Sequence, residues 1–403
     1  MIVMSKIEKQ TILIYSLHNA IFALFTSFLN IYLFTYTNSF IIMALFVAVR
    51  MVPFTIATLF GGKFSKVLPY STCMIIGLVF VIISLVFSLE ETELFIINPY
   101  YSLIVAFLCG IGFGLTWFVL NNLSQVAPSN ESRSLFISIR SFFNNLSSIV
   151  APIISTIVLL FSKDDTIGYR NILIVVIVLC VILALITFTI KAESKQEMKF
   201  SIRNCVKFID EPHKLLLASN FYNGFNDALY ITLTGIMVSN AASNATLYST
   251  ILMVFAIISV IICRFIPFLL RKENIKTTLV ISGIFSILSI PVMAIFPNMF
   301  GAIFYCTTNA IAYNCFGQVL GFIGGNVSTK YNDRIQEVIS AKTVYNSLGR
   351  IIGMGFVVLC YYFLPESIYL QVSVSILSLP LIIVIINYLK LIDRVYDYNK
   401  DEE

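Results

Sequence analysis

Twelve long apolar runs, separated by short polar breaks, occupy most of the chain: residues 11–37, 40–61, 70–89, 99–125, 135–161, 171–190, 214–239, 246–270, 276–296, 299–325, 339–363 and 367–391. A helix that crosses a bilayer needs about 20 mostly apolar residues, and its backbone polar groups must find partners within the segment. The pattern therefore predicts an all-α integral membrane protein with twelve transmembrane helices. The first run lacks a small-residue cleavage site and is longer than a signal-peptide core, so it is expected to be a retained helix.

The longest polar break, residues 191–213, divides the chain into two sets of six helices, 1–190 and 214–403, the second ending in a short polar tail. The halves resemble each other in order and at nearly one offset. Arg50-Met51-Val52-Pro53-Phe54 answers Arg264-Phe265-Ile266-Pro267-Phe268, Asn122-Leu123-Ser124 answers Asn326-Val327-Ser328, and Arg140 to Leu146 answers Lys342 to Leu348. Two homologous six-helix bundles related by pseudo-symmetry explain these matches together.

Composition excludes a soluble globule: 58% of the 403 residues are hydrophobic, 12% are charged and the mean hydropathy is +0.91. The charges segregate by loop. With both termini in the cytoplasm, the inner loops collect Lys6, Lys9, Lys63, Lys66, Arg133, the basic set from Lys191 to Lys214, Arg271, Lys272, Lys276, Lys330 and Arg334, whereas the outer loops hold only Lys163 and Arg170. This is the positive-inside distribution, so the formal +5 reports topology and not nucleic-acid binding. Glu90, Glu91 and Glu93 form a solvated outer loop. The eight cysteines lack metal-ligand spacing and are expected to be apolar fillers, and no catalytic triad, carboxylate pair or phosphate loop recommends an enzyme, a metal or a cofactor.

Ionisable residues within the apolar runs carry the candidate chemistry, because burying charge in a bilayer is costly and such groups face cavities or partners. Asp227 is the one acidic residue placed deep in a run, ~20 Å along the seventh helix, and suits either proton coupling or a structural ion pair with Arg50 or Arg350. Arg50 and Arg350, with Arg264, leave the interior rich in guanidinium forks that bind carboxylate or phosphate. Arg264 also lies close enough to Arg271 to snorkel, and Arg140 and Lys342 sit near the inner helix ends, where snorkelling is the plainer reading. His18 is a second candidate for proton exchange or gating, against a structural hydrogen bond. Asparagines crowd particular helices, among them Asn122, Asn145, Asn223 and Asn314, either as interhelical glue or as a polar substrate lining. Gly110, Gly112 and Gly114 in the fourth helix, with Gly321, Gly324 and Gly325 in the tenth, read as close-packing or bending positions.

The twelve-helix repeat, together with Gly61-Gly62-Lys63-Phe64-Ser65-Lys66 between the second and third helices, resembles the major facilitator superfamily over nearly the whole chain. Ser65 or Lys66 stands where that family usually carries Asp, and the Gly-Pro signature of drug/proton antiporters is reduced to Ala151-Pro152. The resemblance implies a secondary active transporter of the bacterial cytoplasmic membrane, working as a monomer on a small solute by rocker-switch alternating access. On this reading Arg50, Arg350 and Arg264 hold an anionic or zwitterionic substrate, while Asp227 and His18 serve proton coupling or gating. A proton-driven exporter of amphipathic compounds, a lipid-headgroup flippase and a non-transporting membrane sensor are the alternatives.

Overall fold

The computed structural model describes residues 4–65, 67–90, 92–128, 132–189, 200–331, 334–366 and 368–398. Residues 191–199 of the linker expected at 191–213, together with Lys66 and Glu91, lie outside the described residues, as does the side chain of Asn145. The chain divides into two compact units, Met1–Phe200 and Ser201–Glu403.

The first unit comprises α1 (Lys6–Thr37), α2 (Phe40–Phe64), α3 (Tyr70–Glu90), a short α4 (Thr92–Ile97), α5 (Ser102–Val126), α6 (Arg133–Leu160) and α7 (Asp165–Thr187). Polar residues set the helix starts. Ser5 and Glu8 form a reciprocal capping box on α1, Ser39 caps α2 and Asp164 caps α7, each satisfying backbone N–H groups that a helix leaves without partners. Asn38, at φ 44°, makes the left-handed turn between α1 and α2. Glycines set the helix spacing, since a Cβ on Gly110 or Gly114 would strike the backbone of Arg50 or Phe54 in α2, and one on Gly112 would strike Gly77 in α3. The glycines expected to allow close packing in the fourth helix thus bring α5 against both neighbours.

The second unit contains α8 (Glu211–Ala228), α9 (Thr234–Ala241), α10 (Ala245–Cys263), a short α11 (Ile266–Leu269), α12 (Ile275–Ile295), α13 (Met299–Thr308), α14 (Asn314–Thr329), α15 (Ile335–Phe363), α16 (Tyr369–Ser378) and α17 (Leu381–Tyr398). Its core joins Leu216 of α8, Leu279 of α12, Phe316 and Ile323 of α14, and Leu381 and Tyr388 of α17. Here the glycine expectation is only partly met. A Cβ on Gly324 would approach the Tyr388 hydroxyl at 3.1 Å, but Gly321 and Gly325 have nothing within 4 Å and are not close-packing positions. The tight approach lies instead between α8 and α15, where Gly224 meets the Asn346 carbonyl and Gly349 meets the Phe221 carbonyl.

Among the described residues ten helical stretches have the length and apolarity to cross a bilayer. The remaining two expected spans are helical runs interrupted by a π turn: Leu229–Leu233 joins α8 to α9, and Asn309–Tyr313 joins α13 to α14. A π turn shifts the hydrogen-bond ladder by one residue and loosens carbonyls that a bilayer cannot solvate. Side chains take up that load. The Thr234 hydroxyl donates to the carbonyls of Leu229 and Tyr230 at 3.2 and 3.1 Å, and the Ser259 hydroxyl of α10 donates to the Ala310 carbonyl at 3.2 Å.

Candidate functional site

The second unit concentrates its polar chemistry beside the two π turns. Asp227, one residue before the end of α8, accepts four hydrogen bonds. Asn223, one turn earlier on the same helix, donates to Oδ1 at 3.0 Å, and the Tyr313 hydroxyl donates to the same oxygen at 2.8 Å. Asn346 and Arg350 of α15, themselves one turn apart, donate to Oδ2 at 2.8 and 3.1 Å. Each carboxylate oxygen thus receives two donors, and the guanidinium supplies the opposite charge. The side chains of Asp227 and Arg350 keep 15% and 17% of their surface exposed, so the pair is enclosed without being sealed.

The geometry has a local cause. Gly224, about one turn before Asp227, and Gly349, directly before Arg350, let the backbones of α8 and α15 approach closely beside the charged pair, and the i, i+4 spacings of Asn223 with Asp227 and of Asn346 with Arg350 place each pair on one helix face. The π turn of the other run presents Tyr313, whose ring stacks on Tyr230 at 4.0 Å between centroids. Tyr230 in turn shares a hydrogen bond with Ser289 of α12 at 3.1 Å, and Tyr305 donates to Thr234 at 3.0 Å. Asp227 is therefore tied to α8, α15 and both π turns.

The other expected site residues take varied places. Arg50 is 2% exposed within α2, its guanidinium 5.7 Å from the centre of the Phe46 ring. Arg264 is exposed and directly follows the last residue of α10, so the two matching Arg-x-x-Pro-Phe phrases do not occupy equivalent settings. Asn122 returns its amide to the Phe118 carbonyl of its own helix at 2.8 Å, and Asn314 donates to the Ser259 carbonyl at 3.3 Å, joining α14 to α10. Of the four asparagines proposed as a substrate lining, only Asn223 reaches the Asp227 cluster among the described residues. Asn226, its neighbour on α8, is fully buried, and neither of its amide heavy atoms has a hydrogen-bond partner among the described residues.

In the first unit His18 is buried and shares a 2.9 Å hydrogen bond through Nε2 with the Thr116 hydroxyl of α5. It sits among aromatic rings, with Phe113 and Trp117 edge-on at 6.0 and 5.2 Å. Gly61 and Gly62, in the last turn of α2, give close seats to the rings of Phe118 and Phe200.

Tyr313, Tyr230 and Asn346 are site residues that the sequence does not single out, Asn346 standing there only within the repeat from Lys342 to Leu348. The one available signal was spacing, since Asn346 stands four residues before Arg350 as Asn223 does before Asp227.

Two helical units with ionisable side chains enclosed inside membrane-length helices define a multi-pass membrane protein with the build of a transporter. The chain belongs to the Major Facilitator Superfamily, whose family profile matches residues 11–385. It is 20% identical over 372 residues to the uncharacterized protein YqgE of Bacillus subtilis (strain 168), covering 89% of this chain and 83% of that one. Among solved structures it resembles the nucleoside transporter NupG, with a TM-score of 0.68, 16% identity and coverage of 96% and 99% of the two chains. It also resembles the xylose transporter XylE from E. coli, with a TM-score of 0.69, 12% identity and coverage of 96% and 98%. At such identities the structural likenesses speak for the fold alone.

Proposed function

We propose that the protein is a proton-coupled secondary transporter of a small anionic or zwitterionic solute, working by alternating access in a bacterial cytoplasmic membrane with both termini inside. The observation that carries this reading is the four-donor seat of Asp227 with Arg350 on one oxygen. Protonation of this carboxylate removes its charge and puts a hydrogen where donors now point, so the hold on Arg350 and Tyr313 weakens together. Arg350 then becomes available to a carboxylate or phosphate on the solute. The flanking π turns support the same role, because such turns concentrate at functional sites and offer an alternative, fully α-helical register to the same residues. Solutes carried by structural relatives, including nucleosides and xylose, belong in the same screen as organic anions.

The test uses purified full-length protein in liposomes loaded with a pH-sensitive dye. Solute added outside should drive proton movement in the wild type, and Asp227→Asn should abolish that movement while retaining solute exchange at equal pH. Proton movement that survives in Asp227→Asn, with the protein folded, sinks the coupling role. The double variant Asp227→Asn with Arg350→Gln supplies a charge-balanced control for folding.

A further inference from the structure

The first unit gathers a second cluster that the Asp227 network does not use. Trp117 of α5 is partly exposed although Thr116 and Phe118 beside it are buried. Three rings of α1 meet it at steep angles: Tyr15 at 6.3 Å and 82°, His18 at 5.2 Å and 78°, and Phe22 at 5.7 Å and 84°. None of these stacks parallel to the indole. Phe22 is also partly exposed, so the cluster is a surface of ring edges and faces and not a closed core.

Arg140 of α6 completes the group. Its guanidinium lies 4.9 Å from the centre of the Tyr15 ring and 5.9 Å from that of Phe136, held by cation–π attraction. Among the described residues no carboxylate lies within ion-pairing distance of it, whereas Arg350 is matched by Asp227. One turn along α1 from Tyr15, Asn19 donates to Asn144 and fixes α1 against α6. His18 has its other ring nitrogen, Nδ1, buried and without a hydrogen-bond partner among the described residues.

We propose that this cluster binds a planar aromatic ring carrying an anionic group, the ring resting on Trp117 and Phe22 and the anion taken by the guanidinium of Arg140. Each part has its own chemical reason. Aromatic faces favour a planar ring over a saturated one of equal size. A guanidinium already steadied by two rings loses little freedom when it grips a carboxylate with both N–H edges. Arg140, expected from sequence to lie at the interface, thus has rings and no carboxylate beside it among the described residues, while Arg350 is held by Asp227. The inference rests on the transport reading only for the fate of the bound molecule, since binding stands by itself.

Trp117 is the single tryptophan of the chain, so its fluorescence reports this cluster alone. Purified full-length protein in nanodiscs would be titrated with benzoate, benzamide and cyclohexanecarboxylate under selective indole excitation. Benzoate should give a saturable change, with at least tenfold weaker responses from the uncharged amide and the saturated acid. Arg140→Gln should weaken benzoate at least tenfold and leave benzamide unchanged. A flat Trp117 signal up to about 10 mM benzoate, equal responses from the three compounds, or a benzoate response unaltered in a folded Arg140→Gln would each overturn the proposal. The three-compound comparison needs no variant and decides the matter if Arg140→Gln does not fold. Counterflow of labelled benzoate separates the two readings: saturable binding without counterflow removes transport and keeps the site, whereas flux of other solutes with a silent Trp117 keeps transport and removes the site.

Discussion

The rings of Tyr230 and Tyr313 lie 4.0 Å apart and 22° from parallel, and each belongs to the π turn of its own helical run. The stack links the only two π turns among the described residues, and the Tyr313 hydroxyl carries the link on to Asp227. A register shift from π to α in either run would turn its tyrosine around the helix and break the stack. The position of one turn and the hydrogen bonding of Asp227 are therefore coupled through a single aromatic contact.

Tyr313→Phe isolates the hydroxyl from the ring. The stack survives, since the aromatic face is unchanged, but Asp227 Oδ1 keeps only Asn223 of its two donors. Hydrogen bonds to charged groups contribute about 1.5–3 kcal/mol, so thermal unfolding should reveal a loss of that order. Tyr313→Leu should lose more, because the ring contact goes as well. Equal stability of the two variants would mean that the stack contributes nothing.

Gly349 tests what holds α15 against α8. A methyl group there would run into the Phe221 carbonyl, which is backbone and cannot rotate away. Gly349→Ala should therefore destabilise the protein by about 1–3 kcal/mol, in the range of overpacking. Gly325→Ala provides the contrast: its added methyl meets nothing within 4 Å, and alanine is the better helix former by about 1 kcal/mol, so stability should hold or rise. Paired melting curves of the two variants check both statements.

Hydropathy made the spanning runs legible because the bilayer demands about 20 apolar residues whatever the rest of the fold does. Asp227 and Arg350 stood out for the same reason, as charges in such a run. Their partnership did not, since Arg50 offered an equal candidate and nothing in a linear sequence measures the distance between helices. The π turns left no mark either: Leu229–Leu233 and Asn309–Tyr313 have compositions that an α-helix also accepts, and the extra residue is stabilised by hydroxyls on other segments, such as Ser259 on α10. Repeat symmetry misled at Arg264, where matching letters hide a helix that ends one residue earlier. At Gly321 and Gly325 the close-packing alternative fails, because a glycine shows that close approach is allowed and not that a neighbour makes it.

Asp227 and Arg350 should show strong non-additivity. Removing either partner leaves a mostly enclosed charge beside hydrogen-bonding groups that no longer balance, whereas removing both takes away charge and counter-charge together. The single variants Asp227→Asn and Arg350→Gln should each cost more stability than half of the double variant. The coupling should fall within about 0.5–3 kcal/mol, the range for residues that share a network. Additive losses would show that the 3.1 Å contact contributes little, and that Asn223, Asn346 and Tyr313 hold the carboxylate unaided.

His213 predicts a pH dependence at the start of α8, ahead of the apolar stretch. Its ring is buried, and Nδ1 accepts the Ile209 backbone N–H at 3.2 Å, which requires that nitrogen to be unprotonated. Burial lowers its pKa below the ordinary value of 6.5, Arg334 adds to the lowering, and the Asp210 carboxylate opposes it. Because the folded-state pKa lies below the unfolded one, the stabilisation from this group is complete above pH 6.5 and is lost as pH falls through the folded value. The melting temperature of the wild type should therefore drop between pH 7.5 and pH 5 by more than that of His213→Asn, whose amide oxygen can still accept a backbone hydrogen bond but does not titrate. Parallel pH profiles for the two proteins would show that the buried ring takes up no proton in this range, and would place the acid sensitivity of the second unit on its carboxylates.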